Sequence, residues 1–352
     1  MAPDSSSETD TSLRKALPKK DKRLLAFIAF MAVLTALIGV AIAAFATVNY
    51  LYEAPFKQQA EREAVIFEVP KGSGLSLIAT RLEREELIKN AFLFKLVTKM
   101  RGNESNFKAG EFLIQPGESM AKIYEDLAEG KAILYPVTIA EGLASLQIMA
   151  VLDTIPELVD DNPPVPVEGS LLPETYMIPR GMKQSELLAK MKAAQTRELD
   201  RLWENRAADL PIKTKAEAVI LASVVEKETG IGSERDEVAG VFTNRLRRGM
   251  RLQSDPTIIY GVTKGLPLGR RILRSEINRV TDWNTYQIPA LPKTPICHPG
   301  KEALAAVLNP AQTKNLYFVA DGTGGHVFAE TLAGHERNVR EWRKIQRARG
   351  ER

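Results

Sequence analysis

The stretch Thr214-Lys-Ala-Glu-Ala-Val-Ile-Leu-Ala-Ser-Val-Val-Glu-Lys-Glu-Thr-Gly230 decides how the second half of the chain folds. Thr214 and Glu217 have the spacing of a capping box, with Thr214 as N-cap and Glu217 at the third helical position. Gly230 is a C-terminal stop. At about 100° per residue, Ala218, Leu221, Ala222 and Val225 share one face. Val219, Ile220 and Val224 fill much of the rest, so the helix is expected to be buried on most sides. Its last turn carries Glu226 and Glu228 at the end least suited to them. The helix dipole is negative there, and it joins desolvation in pushing a carboxyl toward its protonated form. A carboxyl kept protonated near neutral pH is what a general acid requires.

The two glutamates are about 200° apart on the helix, so they cannot share a site. Glu228 lies beside the apolar stripe, and Glu226 lies nearer Val219 and Ala222. The plain alternative is that one glutamate pairs with Arg235, Arg245 or Arg247 while the other faces water. The next 60 residues bear on the choice. Asn244-Arg-Leu246, Leu252-Gln-Ser-Asp-Pro-Thr257, Tyr260-Gly261 and Asn284-Thr-Tyr286 supply the amides, carboxylate and aromatic faces that line carbohydrate clefts. Taken singly each is weak: Asp255-Pro-Thr257 also reads as a helix start, and Asn284-Thr-Tyr286 as a turn.

Outward from that core, Ser185 to Trp203 reads as a long amphipathic helix. Ser233 reads as the cap of a helix ending at Gly249. Leu316–Ala320 and His326–Ala329 flank Asp321-Gly-Thr-Gly-Gly325 as a β-hairpin, and a basic helix begins near Thr331. Toward the N-terminus, three similar units recur. They are Ile66–Gly72, Glu111–Gly117 and Tyr135–Gly142, each a short strand, a glycine turn and a helical pattern. A small α+β module over 64–155 follows, its third strand open to being shared with the next domain. A proline-rich segment, 156–179, breaks the pattern, but Glu168-Gly-Ser-Leu-Leu-Pro-Glu-Thr-Tyr176 is too apolar for a free linker.

Leu24 to Val48 is uncharged and longer than the roughly 20 residues needed to cross a bilayer. A signal peptide has a core of only about 7–15 residues, so an uncleaved transmembrane helix is expected. Arg14, Lys15, Lys19, Lys20, Lys22 and Arg23 place the N-terminus in the cytoplasm. The division read from the chain is a tail (1–23), a transmembrane helix (24–48), a neck (49–63), the small module (64–155), a larger α+β domain (156–345) and a basic end (346–352). Over 352 residues the net charge is only +4, which gives no footing for nucleic-acid binding. The single cysteine, Cys297, forms no internal disulfide. His298, His326 and His335 have no ligand spacing, so neither a metal nor a cofactor is expected. Gly322-Thr-Gly-Gly325 is no phosphate loop, because no helix directly follows it.

Ala222–Thr229, Ser233–Asp236, Val241–Leu246, Met250–Thr257, Tyr260-Gly261, Asn284–Tyr286, Tyr317–Asp321 and Glu168–Tyr176, with the single N-terminal helix, closely resemble the YceG-like endolytic murein transglycosylases. The resemblance spans about 24–345. It implies a single-pass inner-membrane protein with a LysM-like module and a catalytic domain in the periplasm. It also implies cleavage of peptidoglycan strands between N-acetylmuramic acid and N-acetylglucosamine, leaving 1,6-anhydro ends without adding water. A single acid suffices for such chemistry, since the muramoyl 6-hydroxyl is an intramolecular nucleophile. In lytic transglycosylases the catalytic glutamate is followed by Ser or Thr, and Glu228-Thr229 matches that pair. Glu228 is therefore expected as acid and base. Thr229, Gln253, Asp255, Tyr260, Asn284 and Tyr286 are the candidates for holding sugars, and Glu226 for a supporting role. Nascent glycan strands and the synthases that make them, penicillin-binding proteins, are the expected partners, with strand termination the expected outcome. A non-catalytic glycan-binding scaffold is the alternative. The acidic residues of the tail and the basic end depart from the family pattern.

Overall fold

The computed structural model describes residues 19–56, 63–102 and 107–350, in two compact units, Met1–Ala132 and Ile133–Arg352. Most of the expected cytoplasmic tail, part of the neck (57–62) and the last two residues lie outside the described residues.

The first unit begins with α1 (Lys19–Glu53), whose leucine, isoleucine, valine and phenylalanine side chains from Leu24 to Phe45 are largely exposed. Among the described residues it is the one helix long and apolar enough to span a membrane. The helix runs on into the expected neck and ends as part of the module. Tyr52 is fully buried against Phe94, ring centroids 6.3 Å apart, with the Arg101 guanidinium 4.9 Å from its ring. Then follow β1 (Val65–Val69), α2 (Leu75–Arg84), α3 (Ala91–Met100), β2 (Gly110–Ile114) and α4 (Met120–Glu129). The strands pair antiparallel, with Phe67 opposite Phe112. Leu75, Ile78, Ala79 and Leu82 fall at the i, i+3, i+4 and i+7 positions of α2 and are all buried. The third helix, absent from the expected strand–turn–helix pattern, is capped by Asn90, whose side chain accepts from Leu93 N at 2.8 Å.

The expected boundary at 155/156 falls instead at 132/133. Its cause is β3 (Leu134–Thr138), which pairs antiparallel with β5 (Thr175–Pro179), a strand within the segment read as a linker. The third strand–helix unit, with α5 (Ser145–Leu152), thus belongs to the second unit. Its core joins Val137, Ile148 and Leu152 to Ile178, Leu187 and Met191. Gly72, Gly117 and Gly142, the three expected turn glycines, have φ of +83°, +78° and +75°, conformations that other residues resist. Two-residue strands β4 (Leu158–Val159) and β6 (Met182–Lys183) pair in parallel and lead into α6 (Gln184–Glu204).

The remaining elements are α7 (Lys215–Glu228), α8 (Gly232–Arg247), α9 (Asp255–Thr263), α10 (Arg274–Asn278), α11 (Lys301–Leu308), the antiparallel hairpin β7 (Tyr317–Ala320) and β8 (His326–Ala329), and α12 (Leu332–Ala348). The capping box of α7 is formed as read, Thr214 Oγ1 accepting from Glu217 N at 3.1 Å. Ala218, Val219, Leu221, Ala222, Val224 and Val225 are all buried among α8 and α11. Two starts differ by small shifts. The N-cap of α8 is Ile231 rather than Ser233, and that of α9 is Ser254, with Asp255 and Pro256 already helical.

Candidate active site around Glu228

Glu228 closes α7, and Thr229 is the extended residue that ends it. The carboxyl is half-buried and its Oε1 is sealed from solvent with no hydrogen-bond partner among the described residues. Burial lifts its pKa from 4.5 to about 7. Asp255 adds to the rise, while Ser254, His326 and Arg245 oppose it. Ser254 comes close enough to act on the carboxyl, but short of a hydrogen bond, since its Oγ is also unpaired. Near neutral pH such an acid is divided between its protonated and ionised forms, so it can give a proton and take one back with little penalty, which suits general acid–base work.

Glu226 is on another side of the helix and does different work. Its Oε2 accepts from Gly300 N at 3.0 Å, fixing the residue that starts α11. Burial raises its pKa, and Glu141 adds to that. The arginines considered as partners for these glutamates go elsewhere: Arg235 to Glu302, Arg247 to Asp209, and Arg245 to backbone. Arg245 is buried, with Nε donating to Leu316 O at 2.7 Å and Nη1 to Leu252 O at 2.8 Å, and its guanidinium lies 5.2 Å from the Tyr317 ring. Burial lowers its pKa.

Of the six candidates for holding sugars, Asp255 and Tyr286 lie in the charge environment of Glu228, and Gln253 is linked to it only through Arg245. Asp255 is exposed, and its Oδ1 accepts from the Tyr286 hydroxyl at 2.8 Å. Burial first, then Asp255, raise the Tyr286 pKa, and Glu228 and Arg245 also act on it. Gln253 is exposed in a left-handed conformation, φ +54°, with Oε1 3.4 Å from Arg245 Nη1. The other three are placed differently. Thr229 is buried, and its hydroxyl accepts from Ile231 N at 3.0 Å in the turn that leaves the helix. Asn284 is 1 % exposed and spent on the backbone. Its Nδ2 faces the carbonyls of Glu276, Ile277 and Arg279 at 3.1, 3.0 and 2.7 Å, and its Oδ1 accepts from Tyr286 N at 3.0 Å. Tyr260 packs against Trp283, centroids 5.7 Å apart, and lines a separate cavity of about 370 Å³ with Ala144, Gln147, Lys227 and Ile259.

Three residues at the site were not singled out in the sequence. Ser254 was inside a quoted motif but not chosen from it. His326, on the hairpin, is near enough to act on the charge of Glu228, and Glu234 holds it: Oε1 accepts from His326 N at 2.9 Å and Oε2 is 2.8 Å from Nδ1. A carboxylate only accepts, so that contact places the proton on Nδ1. No local signal links residue 326 to residue 228; only the hairpin does.

His298 and Cys297 lie away from this chemistry. His298 is fully buried, accepting from Leu171 N at its Nδ1 (3.1 Å) and meeting Ser145 Oγ at its Nε2 (2.9 Å). Burial holds its pKa down at about 4. Cys297 is buried with its thiol pKa raised by desolvation, which is unfavourable to a nucleophile. Among the described residues no group of histidine, cysteine or carboxylate side chains could hold a metal ion.

The chain is 27 % identical over 322 residues to a Bacillus subtilis protein named endolytic murein transglycosylase, covering 82 % of this chain and 88 % of that one. It is 28 % identical over 330 residues to a Streptococcus pneumoniae protein of the same name, covering 80 % of this chain but 58 % of the relative, so the chain spans little more than half of that longer protein. A crystal structure of a YceG-like protein from Listeria monocytogenes aligns at 27 % identity with a TM-score of 0.47, covering 78 % of this chain and 99 % of that one. The model of the YceG-like family matches residues 67–341, a span that takes in parts of both units and every residue described around Glu228, and the chain belongs to that family.

Proposed function

We propose that the protein is a membrane-anchored lytic transglycosylase that cleaves peptidoglycan glycan strands internally, with Glu228 as its single acid and base. The observation that carries this reading is the Glu228 carboxyl itself, half-buried at a helix C-terminus, sealed and unpaired at Oε1 and held near pKa 7. The activity named for the relatives supports the substrate class.

The protonated Glu228 gives its proton to the glycosidic oxygen as the bond from muramoyl C1 to that oxygen breaks. The resulting carboxylate then takes the proton of the muramoyl 6-hydroxyl as O6 bonds to C1, which regenerates the acid and consumes no water. Asp255 and Tyr286, which act on that carboxyl, and Gln253 beside Arg245 are the candidates for holding the sugars. Thr229, Asn284 and Glu226 shape the site through backbone bonds. Tyr260 serves the neighbouring cavity.

The helix Lys22–Glu53 is the anchor. The cations before it favour a cytoplasmic N-terminus, leaving the chain that follows the helix on the outer face of an inner membrane. The part of the first unit from β1 to α4, in which two helices stand between the paired strands, is then a LysM-like glycan-binding module, and the synthases of nascent strands are the fitting partners, with strand termination as the outcome.

The test is to incubate full-length protein in detergent with uncrosslinked glycan strands and weigh the new ends. Anhydro ends, lost in Glu228→Gln, are expected. Ends heavier by one water would replace the transglycosylase with a hydrolase. Strand binding without any cleavage would leave a scaffold.

A further inference from the structure

Ser254 is the N-cap of α9, where a serine hydroxyl ordinarily accepts from an N–H of the first turn. It makes no such bond. The residue is 1 % exposed, and its Oγ has no hydrogen-bond partner among the described residues, although buried polar atoms are almost always paired. The surrounding structure nevertheless fixes it firmly. Ser254 N donates to Thr285 Oγ1 at 2.9 Å, and its carbonyl accepts from Thr257 Oγ1 at 2.6 Å. The two threonine hydroxyls meet at 2.9 Å. Gln253, just before, is held at φ +54° while its N–H donates to Thr285 O at 3.2 Å. A non-glycine residue in that region persists only where its surroundings enforce it.

This clasp withholds the hydroxyl from the helix and leaves Ser254 near enough to act on the Glu228 carboxyl, whose Oε1 is likewise buried and unpaired among the described residues. Neighbouring donors are committed elsewhere: the Tyr286 hydroxyl to Asp255, His326 Nδ1 to Glu234, and Arg245 Nε and Nη1 to carbonyls.

We infer that Ser254 is a positioning residue for Glu228, its hydroxyl turning to donate to the carboxylate once the acid has given its proton to the leaving oxygen. This rests on the assignment of Glu228 as the acid and base. In the first half-reaction the glycosidic oxygen gains the Glu228 proton and Glu228 becomes an anion. The Ser254 O–H then donates to that anion without transferring its proton. In the second half-reaction the muramoyl O6–H proton passes to Glu228, and Ser254 releases it. The hydroxyl thus serves the charged form alone and keeps the anion aligned toward O6.

The experiment compares Ser254→Ala and Ser254→Gly with the parent, full-length in detergent on uncrosslinked strands, measuring kcat/KM against pH with melting temperature alongside. Glycine is well tolerated at an N-cap, so it covers the case where alanine fails to fold. Activity falls on the alkaline side as Glu228 loses its proton. With the anion's donor gone, that limb should move up by about one pH unit, and the rate below it should fall about tenfold or more. Ser254→Thr, which keeps the hydroxyl, should restore the limb. Slower variants with an unmoved limb would reduce Ser254 to a structural role, and a parental profile would remove it altogether. Glu228→Gln in parallel separates the two ideas. If Glu228→Gln stays active, the assignment of the acid fails. If it is inactive while the serine variants keep the parental limb, only the role of Ser254 fails.

Discussion

Replacing Glu228 with glutamine should make the second unit more resistant to heat, increasingly so at alkaline pH. Burial raises this carboxyl from 4.5 to about 7, so between those values the folded state binds more protons than the unfolded one. Stability therefore falls as pH rises through that window. Below about 4.5 both states are protonated and nothing is lost; above about 7 the full penalty is present. A decade in proton affinity is about 1.4 kcal/mol, so the wild type carries a penalty of about 1 kcal/mol at pH 5 and about 3 kcal/mol at pH 8. Glutamine has nearly the same shape and never ionises. The melting difference between variant and parent should thus widen by about 4–8 °C from pH 5 to pH 8 for a unit of this size. Trp203, Trp283 and Trp342 all lie in the second unit, so tryptophan fluorescence of the full-length protein follows that unit alone. A difference that stays flat over this range would mean that Glu228 titrates as an ordinary surface carboxyl. The argument for a poised acid would then be lost, whatever the variant does to activity.

Two further outcomes separate structural from chemical residues. Glu226→Ala removes the acceptor that fixes Gly300 and should lower stability by about 1–2 kcal/mol, with kcat of the folded protein within a few-fold of the parent; lost turnover at unchanged melting temperature would move the acid role to Glu226. His298 has its pKa lowered by burial from 6.5 to about 4, so the unfolded state binds more protons in that window and stability falls as pH drops through it. His298→Asn should abolish a slope worth about 3 kcal/mol, read as melting temperature between pH 4 and pH 7, and a slope unchanged in the variant would assign it to another group.

What could be read from the sequence was local or periodic. The capping box of α7, the apolar wrap around that helix, the hairpin at 317–329 and the three strand–turn–helix units all repeat within a few residues, and all are formed. Errors arose where identity and position do not determine what a group bonds. Asn284 has the amide expected of a sugar ligand, but a sugar site needs free donors. Three backbone carbonyls already take the Asn284 Nδ2, and Tyr286 N takes its Oδ1, so the side chain holds the loop that carries Tyr286. Ser254 is the reverse case. The sequence reads Asp255-Pro256 as a cap and a first helical residue, but it is Ser254 that stands at the cap position, and it does so without capping. Whether such a residue is structural or chemical turns on what remains after the backbone has been satisfied. That remainder depends on Thr257 and Thr285, 28 residues apart, meeting through their hydroxyls. A contact of that separation leaves no periodicity, whereas the unpaired Ser254 Oγ and Glu228 Oε1 are visible once the atoms are in place.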